Sequence, residues 1–171
     1  MHPSELNATF GIIRSLLDRP SANAWKELCG YLDRFERHWD DPMIQERVVL
    51  YVKQKLAMWP KDLLRYAQHL WVTRSLKGQE VPQLELATAL QFISQDTNSE
   101  AMSVMFSNHL LCNMIHIDCR STQIGYPGMH AILENPWLTN LASLDLRRAG
   151  LNGTNIRQLR THFKGQCKII S

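Results

Sequence analysis

The chain has 171 residues, of which 44% are apolar and 20% charged, and its 19 Lys+Arg against 16 Asp+Glu leave a net charge of +3 with neutral histidines. Collagen-like and largely disordered chains are excluded by that composition, and so small a basic excess argues against a dedicated nucleic-acid binder. The length suits one domain, or two small ones sharing a core, able to bury about 70% of the unfolded surface.

Four scattered cysteines (Cys29, Cys112, Cys119 and Cys167) show no C-x-x-C spacing. They fit reduced, mostly buried thiols in a cytoplasmic protein. The apolar stretch from Phe10 to Leu17 is interrupted by Arg14 and has no Lys or Arg before it, so no signal peptide is expected. No apolar run is long enough for a membrane span, and no membrane partner is expected.

Residues 4–77 read as four helices. Ser4 can cap the first, with Leu6, Phe10, Ile13 and Leu17 at helical spacing and Pro20 as its stop. Ser21 or Asn23 starts the second, whose stripe is Trp25, Leu28, Leu32, Phe35 and Trp39. Asp41 as N-cap and Pro42 in the first turn open the third. Its run from Val48 to Val52 is apolar nearly all round, which predicts a central position. Pro60 is expected to open the fourth, with Leu63, Ala67, Leu70 and Trp71 inward and Gly78 closing it. Trp25 and Trp59 stand 34 residues apart, the period of a tetratricopeptide, but its other positions do not recur. A small antiparallel bundle accounts for the spacing better.

From Leu84 the chain falls into rows of 27 residues. Seven columns align: Leu84, Leu111, Leu138; Ala87, Met114, Leu141; Leu90, Ile117, Leu144; Phe92, Cys119, Leu146; Thr97, Ile124, Leu151; Met102, Met129, Ile156; and Met105, Ile132, Leu159. Of these 21 positions 20 are apolar, where the overall composition gives about 9. Each row starts with alternation, as in Leu141-Ala142-Ser143-Leu144-Asp145-Leu146, and ends with helical spacing, as in Ile156, Leu159 and Phe163. The unit is a strand, a turn and a helix, stable only when stacked on its neighbours. No G-x-G-x-x-G follows any of the expected strands, which sets aside a dinucleotide-binding βαβ unit.

The segment Leu141 to Leu151 resembles the L-x-x-L-x-L-x-x-N-x-L pattern of leucine-rich repeats. Met114 to Ile124 matches well and Ala87 to Thr97 loosely. With its 27-residue period, the array is similar to the ribonuclease-inhibitor-like class. The family's asparagine position holds Gln95, Thr122 and Ala149. The resemblance implies an α/β solenoid with a parallel sheet on the concave side and helices on the convex side. Residues 1–80 would form an N-terminal helical bundle capping the array. Residues 81–171 would hold three repeats and a closing strand, Cys167 to Ile170.

On parallel strands about 4.8 Å apart, outward residues stack in columns: Ala89, His116, Ser143; Gln91, Asp118, Asp145; Ile93, Arg120, Arg147; and Ser94, Ser121, Arg148. The resemblance therefore implies a non-enzymatic protein-interaction module with no cofactor. Its partner would meet the concave face or the array end, through Gln91, Ile93, His116, Asp118, Arg120, Ser143, Asp145, Arg147 and Arg148. A simpler reading of the charged columns is that Asp118 and Asp145 pair with the neighbouring arginines.

Other functions remain open to the sequence. His116-x-Asp118 would supply half of a metal site or an acid–base pair, though no third partner stands at ligand spacing. The basic end (Arg147, Arg148, Arg157, Arg160, Lys164, Lys168) would attract an acidic partner or a phosphate backbone, although such a set is more often a solvated helix face. An open closing strand allows a homodimer, edge to edge.

Overall fold

In the computed structural model, which describes residues 3–35, 38, 41–92 and 97–171, the first two helices form where the apolar spacing places them, although the first begins at Pro3 and so includes Ser4, expected as its cap. Helix α1 (Pro3–Leu17) buries Leu6, Ile13 and Leu17. Helix α2 (Ala22–Arg34) is capped by Ser21, whose Oγ accepts the Ala24 N–H at 3.0 Å. It buries Trp25, Leu28 and Leu32, with Phe35 buried just after it. Trp39, the last residue of that stripe, lies outside the described residues.

Asp41 and Pro42 provide the third start, with Asp41 Oδ1 accepting the Met43 N–H at 2.9 Å. Helix α3 (Pro42–Ile44) then passes through a π-helical stretch, Gln45–Val49, into α4 (Leu50–Ala57). The wider π turn shifts the phase of the apolar face. Val48, Val49 and Val52 are buried while Leu50 is half-exposed, so this stretch has an open side that its composition did not predict.

No helix opens at Pro60. The next one, α5 (His69–Leu76), starts later; it buries Trp71 and leaves Leu70 exposed, while Leu63 and Ala67 are half-buried in non-helical chain. The backbone explains the shift. Tyr66 forms a parallel bridge with Ala89, and the Ala67 N–H donates to the Ala89 carbonyl at 2.9 Å. A helix through these residues would need the same groups for its own ladder.

The chain divides into two compact units, Met1–Arg65 and Tyr66–Ser171. Residues 66–80, grouped by their spacing with the helical region, thus belong to the second unit.

Within that unit, β1 (Ala89–Gln91), β2 (His116–Asp118), β3 (Ser143–Asp145) and β4 (Lys168–Ile170) form a parallel sheet in sequence order. The crossovers contain α6 (Ser99–Phe106), α7 (Gly125–Glu134) and α8 (Gly153–His162). Leu90 pairs with Ile117 and Ile117 with Leu144, a step of 27 residues each time. Leu144 pairs with Ile169, so the last step is 25. Short 3-10 turns, Pro82–Leu86, His109–Leu111 and Leu138–Asn140, precede the first three strands and bury Leu84, Leu111 and Leu138. All seven columns of the repeat are buried except at Leu151, which is half-buried. Helix α7 comes close to α6 because Gly128 has no side chain: a Cβ there would stand 3.1 Å from the Met102 Cβ.

Among the described residues, no side chain at the family's asparagine position bonds to a neighbouring repeat. Gln95 lies outside the described residues, Ala149 has no polar side chain, and Thr122 Oγ1 donates to Cys119 O at 2.7 Å within its own turn. Asn113 and Asn140, one repeat apart, each reach back to the preceding repeat. Their Nδ2 groups donate to Glu85 O and Cys112 O, both at 2.8 Å. Asn108 and Asn135 recur in the same way, each Oδ1 accepting the backbone N–H two residues on.

Cys29 and Cys119 are buried, and Cys112 and Cys167 half-buried. Burial pushes the Cys119 thiol well above its ordinary value of 9.0, away from the reactive thiolate.

Candidate functional site

Strand pairing places Gln91, Asp118 and Asp145 side by side at the C-terminal ends of β1, β2 and β3. Gln91 is exposed, whereas Asp118 and Asp145 are only 6% and 5% exposed. A buried carboxylate needs donors, and each finds them two residues further along its own chain. Asp118 Oδ1 accepts the Arg120 backbone N–H at 3.0 Å and Nε at 2.9 Å, while Oδ2 accepts Nη2 at 2.6 Å. One repeat later, Asp145 takes the Arg147 backbone N–H at 3.2 Å, Nε at 3.0 Å and Nη2 at 2.6 Å. Arg120 Nε also stands 3.7 Å from Asp145 Oδ2, which joins the two pairs across the strands.

The electrostatics follow from these bonds. Burial pushes the Asp118 carboxyl up, but the Arg120 side chain, backbone N–H and charge together hold it below its ordinary value of 3.8. The hydrogen bonds from the Arg147 side chain do the same for Asp145, against a smaller effect of burial. Both arginines remain about half exposed, with side-chain values of 49% and 52%. Each guanidinium is therefore held from behind by a carboxylate and open to solvent in front.

Beyond these strand ends lies a cleft of about 560 Å³, bordered by Gln91, Asp118, Arg120, Ser121, Arg147 and Arg148. Ser121 and Arg148, one repeat apart, both adopt left-handed backbone, with φ of 57° and 59°. Arg148 is exposed and makes no ion pair or side-chain hydrogen bond among the described residues.

The remaining sequence-predicted positions are distributed differently. His116 and Ser143 are half-buried, and His116 Nδ1 shares a hydrogen bond with Ser143 Oγ, so that column does come together. Ala89, expected to face outward, is fully buried where it pairs with Tyr66. Ile93 and Ser94 lie outside the described residues. Asp118 is engaged by Arg120 rather than by His116, and no group of three or more His, Cys, Asp or Glu side chains is placed to hold a metal ion among the described residues. The basic residues of the C-terminal end are divided: Arg147 and Arg148 border the cleft, while Arg157 and Arg160 are exposed on α8, where Arg160 Nη2 donates to Ser171 Oγ at 2.8 Å. Phe163 is buried. No helix of the described residues is long and apolar enough to cross a membrane.

Two features escape the sequence reading. The bonds of Asn113 and Asn140 had a signal, identical residues at the repeat spacing, but apolar columns alone do not reveal it. The left-handed turn at Arg148 had no signal at all, since neither serine nor arginine marks such a conformation.

Comparison with protein-family models, curated proteins and solved structures finds no match to this chain.

Proposed function

We propose that the chain is a non-enzymatic protein-interaction module, a short leucine-rich-repeat array of the ribonuclease-inhibitor-like class that binds its partner at the strand-end cleft. The constant 27-residue step between β1, β2 and β3, with a helix in every crossover, supports the solenoid reading. One observation carries the function: the Asp118–Arg120 pair is repeated, bond for bond, as Asp145–Arg147 on the next strand. Two guanidiniums are thereby fixed side by side beside a cleft, and fixed arginines are effective anchors because little of their freedom is lost on binding. A stable interface covers about 800 Å² per partner, so a partner would also touch surface beyond the cleft.

The reading is tested with full-length protein as bait in an extract of its native source. A triple variant, Arg120→Glu, Arg147→Glu and Arg148→Glu, should lose the partner that the wild type retains. Unchanged capture of that partner removes the cleft as the binding surface.

A further inference from the structure

The three arginines of the cleft differ in what they have left to offer. Arg120 and Arg147 commit Nε and Nη2 to the aspartates behind them, and their Nη1 groups make no hydrogen bond among the described residues. Arg148 has its whole guanidinium without a partner among those residues. It also occupies left-handed backbone, a conformation that opposes any residue with a Cβ and suits glycine. Its position is thus unfavourable to the turn and brings the cleft a charge that nothing described neutralises.

The sign and size of that charge select the ligand. Among the described residues at the cleft, Arg120, Arg147 and Arg148 against Asp118 and the adjoining Asp145 leave one positive charge. A single carboxylate cancels it. A phosphate group, at about −1.5 to −2 near neutral pH, would overshoot and face two buried carboxylates a short distance away.

We infer that the cleft takes an acidic segment of a partner protein, with Arg148 receiving one Asp or Glu carboxylate through its planar pair of N–H donors. The inference rests on the interaction-module reading and specifies the partner's chemistry. Arg120 and Arg147 present their remaining Nη1 groups alongside, and Asp118 and Asp145 keep those two guanidiniums in place.

The experiment is fluorescence anisotropy on the full-length protein at low salt, with a fluorescein-labelled octaglutamate peptide as probe. Octaglutamine serves as the uncharged counterpart and a peptide of alternating phosphoserine and glycine as the phosphate counterpart. Octaglutamate should bind and octaglutamine should not. Arg148→Gly should weaken octaglutamate binding about tenfold while the thermal midpoint stays level or rises, since glycine suits the turn. Lys77→Gln just after α5, an equal change in net charge outside the cleft, should leave binding unaltered. Equal losses in the two variants, tighter binding of the phosphoserine peptide, or no octaglutamate binding would each overturn the inference. If octaglutamate fails to bind while the triple reversal still abolishes partner capture, the carboxylate chemistry is wrong and the interaction module stands. If octaglutamate binds through Arg148 while capture is unchanged, the partner's use of the cleft is what fails.

Discussion

Residues 3–65 and 66–171 are held together by different kinds of hydrogen bond. In the first unit the described backbone bonds close on near neighbours along the chain, and long-range order is set by individual side chains. Trp59 Nε1 donates to Leu17 O at 2.9 Å, Lys55 meets Asp18 at 3.0 Å, and the Phe10 and Tyr51 rings meet edge to face at 5.3 Å. In the second unit the backbone itself bridges repeats. The Ile115 N–H donates to Thr88 O, and one repeat later the Ala142 N–H donates to Ile115 O, both at 2.8 Å. The same bond is made again and again by translation, so long-range order is shared among many equivalent contacts. Strands of three residues cannot persist alone, and stacking provides what each lacks.

The largest test of this contrast removes a side chain from the middle of the stack. Ile117, fully buried in β2 between Leu90 and Leu144, should cost about 2–5 kcal/mol when changed to Ala. Hydrogen exchange resolved by segment should show β1 and β3 losing protection together. Loss confined to β2 would mean that the strands do not depend on each other.

A smaller effect separates the two kinds of polar bond. Trp59→Phe leaves the buried Leu17 carbonyl without its donor and should cost about 1–3 kcal/mol in urea unfolding. Asn140→Ala removes an exposed bond whose partner carbonyl water can reach, and should cost about 0.5–1 kcal/mol. Equal costs would show that the repeated bonds are no less critical than the single ones.

The smallest effect is expected in acid. Asp118 and Asp145 titrate below 3.8 in the folded chain, so the unfolded chain binds more protons there and stability rises with pH. Their contribution is complete above the ordinary carboxylate value and is lost as the pH falls through the lower folded values. Unfolding midpoints followed from neutral pH into acid should fall less steeply in the double variant Asp118→Asn, Asp145→Asn. An unchanged acid limb would show that the two pairs do not contribute to the second unit.

How much of this was legible in the sequence depended on whether the signal was periodic. The caps at Ser21 and Asp41 and the stripes of α1 and α2 could be read locally, because a helix is written in spacings of three and four. The repeat register was legible to the residue, since Leu90, Ile117 and Leu144 sit where the rows align them. The π stretch at Gln45–Val49 and the fate of residues 60–68 were not. A run starting Pro60, Leu63, Ala67 satisfies helical spacing, yet Tyr66 and Ala67 find backbone partners in β1 that no local pattern announces.

The candidate site shows the same division. By itself the sequence determined which residues would stand in neighbouring columns, because a fixed repeat length aligns side chains whatever their chemistry. Only the tertiary structure decided what those columns do. Asp118 and Asp145 became buried anchors rather than an exposed stripe, and Arg148 was left unpaired among the described residues in a left-handed turn. Periodicity is a property of the chain and survives in one dimension, whereas burial and pairing of a charge depend on what the surrounding chain brings within a few ångströms of it.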